Sequence, residues 1–488
     1  MEEKVIIALE IGSSKIKGAI GTVSPDGALN VKAVEEEPIS DIVRYGCIRN
    51  IVETERAVRN VINSLELRET PRKIQGVYLS VGGRSLTSQP VEIERRLPSE
   101  SIISEEIIQD ITREALDVSL NERSIVTVTP RELLVDNEVT PRPIGVMGSH
   151  IMARLNLVSC RTQLLRNLSV VIEERLGLKI MDTFARPIAL AELVLLNEEK
   201  KLGCMLVDFG AETTTVAIYK GGVLMHLAVL PMGSRNITRD ITTLNYLEEQ
   251  AEELKKTGGS AFPTLDAPHA LGQPDFVTIN NYVSARAGEI IINITEQIKY
   301  AGLTPEKLPE GIIIVGNGAK LNGFNQRLEQ ISGLKVRLGA PGNRLRILDG
   351  RIHSVDSVDV LSILNTASRQ DPQECLSERP APVVQTPQPS VVEQPAATPQ
   401  VTPQQPVQPQ QPQYPQQHVG GSTSVPRPTP TGTNTPPRPV PPVVPTATET
   451  SANTGKKKTN IFKQGYNNLV NRVARIISDG FEEEEDEE

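Results

Sequence analysis

Two turns rich in glycine and hydroxyl residues carry the clearest chemistry in this 488-residue sequence. One lies between Ala8 and Gly21 and the other between Val207 and Tyr219. Each reads as an apolar run, an acidic residue, a glycine, hydroxyl residues and a second apolar run, which predicts two strands whose connecting turn presents N–H and O–H donors to phosphate. The candidate phosphate-binding residues are Gly12, Ser13, Ser14 and Lys15 in the first turn, and Gly210, Thr213 and Thr214 in the second. Because the pattern occurs twice, it predicts a duplicated domain that binds one nucleotide.

A third glycine-rich segment runs from Gly311 to Phe324. Its apolar start predicts a buried strand, and Gly316 and Gly318 follow in a turn before a predicted helix. Glycines in such a turn let the backbone approach a ligand closely. Each segment alone is also typical of an ordinary turn, but the three in this order favour a nucleotide site.

The three segments resemble the phosphate 1, phosphate 2 and adenosine segments of the actin, Hsp70 and sugar kinase superfamily. Within that superfamily, residues 4 to 370 and the C-terminus resemble the FtsA family of bacterial cell-division proteins. The stretches PIGVMG (Pro143 to Gly148), LPMGSRNITRDI (Leu230 to Ile241) and AEELK (Ala251 to Lys255) carry this resemblance. It implies an α/β fold of the two-domain actin-like, ribonuclease H-like ATPase type, with an inserted α+β subdomain of the SHS2 type.

The resemblance also implies ligands for ATP and Mg²⁺. Glu10 and Asp208 would hold a hydrated magnesium ion, because that ion prefers oxygen ligands and tends to keep its waters. Gly316 and Gly318 would let adenosine lie against the backbone.

Arg286 and Glu289 are weaker candidates for the nucleotide site. They lie one turn apart on a predicted helix and would border the ribose or the base. Charged residues at that spacing also form ordinary surface pairs, and both interpretations stay open.

Three positions depart from the superfamily pattern. Glu10 stands where Asp is expected, Glu212 stands where a glycine is expected, and Asn317 lies within the adenosine glycine cluster. The longer carboxylate at position 10 would shift metal coordination, and the Glu212 carboxylate would repel phosphates unless a metal ion bridged them. Asn317 is the mildest change, because Asn tolerates unusual backbone angles. We therefore expect weak nucleotide binding and little or no ATPase activity.

Composition and the resemblance together divide the chain into domains. The expected segments are domain 1A at 1–83 and 162–200, the inserted subdomain 1C at 84–161, domain 2A at 201–236 and 303–370, subdomain 2B at 237–302, a linker at 380–455, an amphipathic helix at 456–481 and an acidic tail at 482–488. A helix from Glu105 to Ser119, capped by Ser104, is expected in 1C, and one from Thr162 to Leu176 after it. The resemblance implies that 1C mediates self-association and recruits later division proteins, and that 2B binds FtsZ.

The linker is distinguished by its proline content. Between Pro380 and Pro445 lie 20 of the 37 prolines, and only four charged residues occur between Ala381 and Gly455. Such a segment buries too little apolar area to offset the entropy of ordering, so the sequence predicts a disordered spacer.

After the linker, apolar residues recur at steps of three and four and predict one apolar face on a short helix. A lysine cluster before the helix and aromatic residues within it favour binding at an anionic membrane surface. The candidate membrane-binding residues are Lys456, Lys457, Lys458, Ile461, Phe462, Tyr466, Leu469, Val470, Val473, Ile476 and Ile477. Packing of this helix on the protein itself or in a partner's groove is the alternative. FtsA proteins likewise end in an amphipathic membrane-targeting helix.

The rest of the composition excludes several classes. The formal net charge of −9 argues against nucleic acid as a partner. The acidic start, Met1 to Lys4, is unlike a signal peptide, and no apolar stretch of about 20 residues is present to span a bilayer. We expect a cytoplasmic protein, peripheral on the inner face of the cell membrane at the division site.

The sequence thus predicts a membrane-attached, ATP-binding adaptor that anchors FtsZ filaments and polymerises rather than catalyses. Two alternatives share the fold. One is an actin-like scaffold of another membrane machine, such as a pilus-assembly protein. The other is an ATP-dependent small-molecule kinase, which would gain nothing from the linker and the amphipathic tail.

Overall fold

The computed structural model describes residues 3–264, 274–378, 469–471 and 473–474. The expected Pro-rich linker, the acidic tail and most of the expected membrane-binding residues lie outside these ranges. Within them, the strands are β1 (Lys4–Ile11), β2 (Lys15–Val23), β3 (Leu29–Pro38), β4 (Val43–Arg44), β5 (Cys47–Ile48), β6 (Gly76–Val81), β7 (Thr87–Ile102), β8 (Arg123–Val135), β9 (Glu138–Val139), β10 (Met147–Arg161), β11 (Lys179–Ala185), β12 (Cys204–Phe209), β13 (Thr214–Lys220), β14 (Val223–Leu230), β15 (Ile312–Val315), β16 (Val336–Leu338) and β17 (Arg346–Ile347).

The described helices alternate with these strands. They are α1 (Ile51–Arg68), α2 (Glu105–Leu116), α3 (Thr162–Ser169), α4 (Arg186–Val194), α5 (Asn197–Leu202), α6 (Ser234–Thr242), α7 (Glu248–Gly258), α8 (Phe276–Tyr300), α9 (Phe324–Ser332) and α10 (Val358–Ser368). A π-helical segment, Val170–Arg175, follows α3, so the helix expected from Thr162 to Leu176 is α-helical only in its first half.

The two main sheets share one topology. In the first, the strand order is β11-β6-β1-β2-β3-β17, and in the second it is β14-β13-β12-β15-β16. In both, three sequential antiparallel strands (β1 to β3, and β12 to β14) continue into two parallel strands (β6 and β11, and β15 and β16). The hairpins β1–β2 and β12–β13, which the sequence predicts, therefore occupy equivalent places in two related sheets.

Helices cover these sheets on both faces, as apolar strands require. In β1 and β2 nearly every residue is buried, and α1 packs against β2 and β3 while α10 packs against β1. Strands buried on both faces are apolar throughout rather than alternating, which explains the continuous apolar runs in the sequence. Helix α4 contacts β6 and β11 of the first sheet and β13 of the second, so it lies between the sheets.

The C-terminal end of the core returns to the first domain. The sequence-based boundary assigned residues 303–370 to domain 2A, but β17 pairs with β3 and α10 packs against α4 and β1. The first domain therefore also contains β17, α10 and the buried residues Cys375 and Leu376. The boundary was misplaced because an apolar helix such as α10 fits either sheet when only its own sequence is considered.

The inserted domain has its own sheet, with strand order β7-β10-β8-β9, and helix α2 packs against β7, β8 and β10. The hydroxyl of Ser104 accepts a hydrogen bond from the Ile107 N–H at 3.4 Å, so the expected cap is present. The helix ends at Leu116, three residues before the expected end. Val473 belongs to the buried core of this domain, and Leu469 packs against it.

Among the described residues, no helix has both the length and the hydropathy that crossing a bilayer demands.

Under the turn after β15, two aromatic rings stack. The ring centroids of Phe209 and Phe324 lie 4.5 Å apart, and both side chains are fully buried. A Cβ atom on Gly318 would meet the Phe209 ring at 2.7 Å and the Phe209 carbonyl oxygen at 2.8 Å. The absence of a side chain at Gly318 therefore serves packing on Phe209.

We predict that Gly318→Ala lowers the melting temperature, because the methyl group would push apart a closely packed aromatic pair. Overpacking of this kind typically costs about 1–3 kcal/mol. The matched control is Gly350→Ala, since a Cβ there meets no atom within 4 Å. Thermal unfolding followed by circular dichroism compares the two variants, and equal melting temperatures would contradict the packing role of Gly318.

Candidate functional site

The tips of the two predicted phosphate-binding turns line one cleft between the sheets. Each turn closes in the same way. The Gly12 N–H donates to the Lys15 carbonyl at 3.0 Å, and the Gly210 N–H donates to the Thr213 carbonyl at 2.9 Å. Equivalent hairpins of two related sheets thus present their tips to a common space, as the duplication predicts.

A partly buried arginine lines this cleft. The Arg186 guanidinium binds the carboxylate of Glu10 through Nη1, and its Nε lies 2.9 Å from Oδ2 of Asp208. Glu10 is at the end of β1 and Asp208 at the end of β12, so one cation joins the two sheets. These are the two carboxylates that the sequence analysis assigned to a magnesium ion.

A second cation lies beside the first. Lys17, which pairs with Glu10 in the β1–β2 register, is 3% exposed, and its Nζ lies 2.8 Å from Asp359 Oδ2 on α10. Lys17 Nζ also donates to the carbonyl oxygen of Asp356 at 2.5 Å. Positive and negative side chains therefore alternate at the floor of the cleft, in the order Asp359, Lys17, Glu10, Arg186 and Asp208.

Burial shifts the titration of these groups. Loss of solvent raises the pKa of Glu10 from 4.5 to about 7, and the Arg186 charge opposes this shift. Burial likewise raises the pKa of Asp208 against the opposing effect of Arg186. Burial lowers the pKa of Lys17, but Asp359 outweighs this and holds the pKa above its usual value.

Glu212, at the tip of the second turn, connects the two domains. Its carboxylate accepts a hydrogen bond from the Tyr45 N–H at 2.6 Å and lies 2.8 Å from Arg44 Nε, both in the first domain. In the second domain, Arg239 and Arg235 of α6 approach it at 3.0 and 3.4 Å. The expectation that Glu212 repels phosphate is therefore corrected. Its side chain is fully buried, and three guanidinium groups compensate its charge.

The cleft is narrow, with a cavity volume of about 90 Å³. Sites for drug-sized ligands usually enclose roughly 300–1,000 Å³. The pairs of Arg186 and Glu212 both cross between the domains, and both side chains line this narrow cleft.

The structure brings most of the predicted nucleotide-site residues to the cleft. Its lining includes Glu10, Gly12, Ser13, Ser14, Lys15, Asp208, Gly210, Thr213 and Gly316, together with Glu212 and Asn317. Ser13 Oγ accepts a hydrogen bond from the Gly46 N–H at 3.2 Å. Lys15 Nζ pairs with Glu36 at 2.5 Å, so its charge is shared with a neighbouring strand.

Four predicted residues lie away from the cleft lining. Thr214 is fully buried and donates its hydroxyl hydrogen to the Met232 carbonyl at 2.8 Å. Gly318 packs on Phe209. Arg286 binds Asp240 on α6 through Nε at 2.6 Å and also pairs with Glu289. Arg286 thus fastens α8 to α6 through Asp240, and its contact with Glu289 is an i,i+3 pair within α8, in line with the surface-pair alternative.

Sequence reasoning missed Arg186, Lys17 and Asp359. Arg186 follows β11 and begins α4, and an arginine at a helix start opposes the helix dipole. That unfavourable placement was the available signal of nearby compensating carboxylates. Lys17 and Asp359 lie in otherwise apolar segments, where a lone charge also indicates a buried partner.

The donor set fits phosphate better than it fits a magnesium ion. Buried Ser80 Oγ has no hydrogen-bond partner and can donate to a phosphate oxygen, and the hydroxyl residues of the turns also line the cleft. Unpartnered Asp208 Oδ1 is an acceptor and would take a donor or a cation instead. The space between Glu10 and Asp208, however, is filled by the Arg186 guanidinium. Among the residues that the structure describes, no group of three or more His, Cys, Asp or Glu side chains could hold a metal ion.

We predict that the free energy of unfolding falls as pH rises from about 4.5 to about 7 in protein without nucleotide or divalent cation. The folded state keeps a proton on Glu10 that the unfolded state has already lost in this window, and the shift corresponds to at most about 3 kcal/mol. Glu10→Gln should flatten the slope to the part that Asp208 contributes. The exposed Glu105→Gln should keep the full slope. Urea unfolding at several pH values measures this, and an unchanged slope in Glu10→Gln would exclude Glu10 as its source.

Two family models match the chain. One described as "Cell division protein FtsA" matches residues 205–359, and one described as "SHS2 domain inserted in FTSA" matches residues 83–159. Cell division protein FtsA of Porphyromonas gingivalis is 31% identical over 341 residues, which cover 67% of this chain and 71% of the relative. The Escherichia coli K12 protein of the same name is 27% identical over 369 residues, covering 71% and 87%.

Solved structures agree on the fold. The "PilM-PilN type IV pilus biogenesis complex" is similar with a TM-score of 0.55 at 17% identity, covering 74% of this chain and 97% of that one. At that identity the likeness concerns the fold alone. The two-domain actin-like α/β fold with an SHS2 insertion, expected from the sequence, is confirmed. With a relative above 30% identity over most of both chains, this chain belongs to the FtsA family of cell division proteins.

Proposed function

We propose that this chain is a nucleotide-linked adaptor that anchors FtsZ filaments to the cytoplasmic face of the membrane during division. The observation that carries the proposal is the meeting of two equivalent hydroxyl-rich turns at one interdomain cleft, in a member of the FtsA family. A cleft of this kind links ligand binding to the relative position of two domains. Such a link between ligand binding and domain position can control the assembly of protein subunits as well as catalysis.

In this proposal the turns bind the phosphates of ATP. The Ser13 and Thr213 side chains stand at the tips, with Ser80 Oγ behind them, and Lys15 supplies positive charge at the rim. Donors from both domains converge on a phosphate chain, so bound nucleotide would replace the direct contacts of Glu212 as the bridge between domains.

The position of Arg186 argues against rapid ATP hydrolysis. Its guanidinium already compensates Glu10 and Asp208, which leaves no free carboxylate pair at the cleft floor for a divalent ion. Arginine stays protonated, since burial lowers its pKa but the two carboxylates raise it further. The site therefore favours nucleotide binding with little hydrolysis.

Self-association through the inserted domain is supported by an apolar patch. Ile102 and Met147 face each other across β7 and β10, and both are about three-fifths exposed. Val139 of β9 and Ile144 are also exposed at the same end of the sheet. Exposed apolar side chains that lie together mark an interaction surface more often than scattered ones do. A second copy and later division proteins are the proposed occupants.

The FtsZ contact is proposed for the helical subdomain that α6, α7 and α8 form. Its support is membership of the FtsA family. A pilus-assembly scaffold would share the fold, and a test for FtsZ binding separates the two functions.

We predict that Mg²⁺ changes the affinity of the wild type for ATP by less than about tenfold, or about 1.4 kcal/mol. Arg186→Gln frees Glu10 and Asp208, so Mg²⁺ should raise its melting temperature and strengthen its ATP binding. The variant itself should lose about 3–5 kcal/mol, the usual cost of a broken buried pair. The control is Arg337→Gln, which breaks a pair between an exposed arginine and the buried Glu199 carboxylate, 2.6 Å apart and away from the cleft, and should gain no response to Mg²⁺. Calorimetric titration and thermal unfolding provide the readouts. A hundredfold effect of Mg²⁺ on the wild type would contradict the proposed substitution of the metal by Arg186.

Liposome flotation tests the adaptor itself. FtsZ should float with anionic vesicles only when the full-length protein is present, because the tail binds lipid and the core binds FtsZ. Protein cut after Gly455 should leave FtsZ at the bottom of the gradient. If the full-length protein floats while FtsZ stays behind, the proposed partner is wrong.

A further inference from the structure

The sheet of the inserted domain is longer than its own helix can cover. Strands β7, β8 and β10 have 16, 13 and 15 residues, which corresponds to lengths of about 43–53 Å at ~3.3 Å per residue. Helix α2 has 12 residues and a length of about 18 Å. One end of the sheet contacts β14, so the core there is shared with the second domain. A stretch of apolar sheet remains beside α2.

A segment from the far C-terminus covers part of this stretch. Residues 469–471 and 473–474 are helical, and Val473 is fully buried in a cluster with Ile103, Ile108 and Ile111. Leu469 packs against the same cluster. Residues four apart lie on one face of a helix, so a single face points into the inserted domain. Val470 and Ala474 are buried as well, whereas Asn471 is exposed.

The buried face is the face that the sequence analysis assigned to the membrane. Leu469, Val470 and Val473 are the described members of that set; Val470 and Val473 are buried here and Leu469 is half-buried. An apolar face can be buried in protein or in lipid, but the same atoms cannot be in both.

We propose that the sheet face beside α2 is a docking site for residues 469–471 and 473–474 of the same chain, and that an anionic membrane competes with it for this helical segment. The membrane half of this inference rests on the proposed function, whereas the docking half does not. Docking withholds the helix from lipid in the free protein. Membrane attachment in turn uncovers apolar surface on the inserted domain, the domain proposed for self-association.

Attachment on one chain favours this occupant over a second copy. Residues 379–468 connect the segment to the core. A partner on the same chain docks in an intramolecular step whose effective concentration does not depend on the protein concentration, so weak docking is populated without dimerisation. The helical segment has a narrow apolar face, and Asn471 is exposed. Such a segment can lie with its apolar face either on the inserted domain or in the membrane surface.

A pair of spin labels on the full-length protein tests the docking. Glu106→Cys on α2 and Asn471→Cys place labels on exposed positions, in a background in which half-buried Cys47 is replaced by Ser. Without lipid, we expect one narrow distance distribution that persists when labelled protein is diluted with unlabelled protein. Val473→Asp should broaden it, and Val473→Ile, which keeps an apolar side chain, should retain it.

Anionic vesicles test the competition. Adding them should convert the narrow distribution of the wild type into a long, broad one in the fraction that floats. A broad distribution without lipid would overturn the docking, and a narrow one that disappears on dilution with unlabelled protein would assign the groove to a second copy. A narrow distribution retained on floated protein would overturn the competition. Failure of the protein to float, with the narrow distribution present in solution, would leave the docking supported and reject the membrane half together with the proposed membrane attachment.

Amide hydrogen exchange gives a second readout without labels. The backbone of α2 and β10 should exchange faster in Val473→Asp than in the wild type, while Val473→Ile should match the wild type. Equal exchange in all three proteins would contradict the docking.

Discussion

The charge balance between Arg186 and its two carboxylates determines how the two halves of this protein meet. Two negative charges buried at the ends of equivalent strands would repel each other strongly in a medium of low dielectric constant. The guanidinium between Glu10 and Asp208 removes that repulsion and joins the sheets at the same time. A buried pair of this kind is costly to break by removing one partner, although it contributes little net stability when formed. The contact between the two domains at the cleft is therefore electrostatic as well as apolar.

Glu212 forms a second cluster of charges between the domains, in which the central charge is negative and the surrounding charges are positive. There a single buried carboxylate is surrounded by three guanidinium groups and one backbone N–H drawn from both domains. The two clusters lie at the tips of equivalent strands, and each uses a side chain where the superfamily pattern has a smaller residue or a shorter acid. The duplicated sheets place the two turns at one cleft. Glu10 and Glu212, which depart from the superfamily pattern, form the charged contacts between the domains there.

The sequence predicted the elements near the cleft better than their partners. Strands β1, β2, β12 and β13 were predictable because they are short apolar runs that end at glycines, and the turn geometry follows from local composition. Arg186, Lys17 and Asp359 were not predicted because their partners come from other elements of the fold: Glu10 is 176 positions from Arg186, and Asp359 is 342 positions from Lys17. The assignment of β17 and α10 to the wrong domain has the same cause. Apolar periodicity identifies a helix that must be buried but not the sheet that buries it. The roles expected for Thr214 and Gly318 were read from spacing alone, and packing accounts for both residues instead.

The position of Arg186 in its helix couples chemistry to architecture. It is the first residue of α4, the helix that contacts both main sheets and packs against α10. A positive charge at that end of a helix is held there only by the carboxylates in front of it. A ligand that draws either carboxylate away, or that offers the guanidinium a different anion, would act at the end of the helix that lies between the two sheets. Helix α4 thus carries the charge that joins the sheet ends and also the apolar contacts with both sheets and α10, so a change of charge in the cleft bears on the packing between the domains.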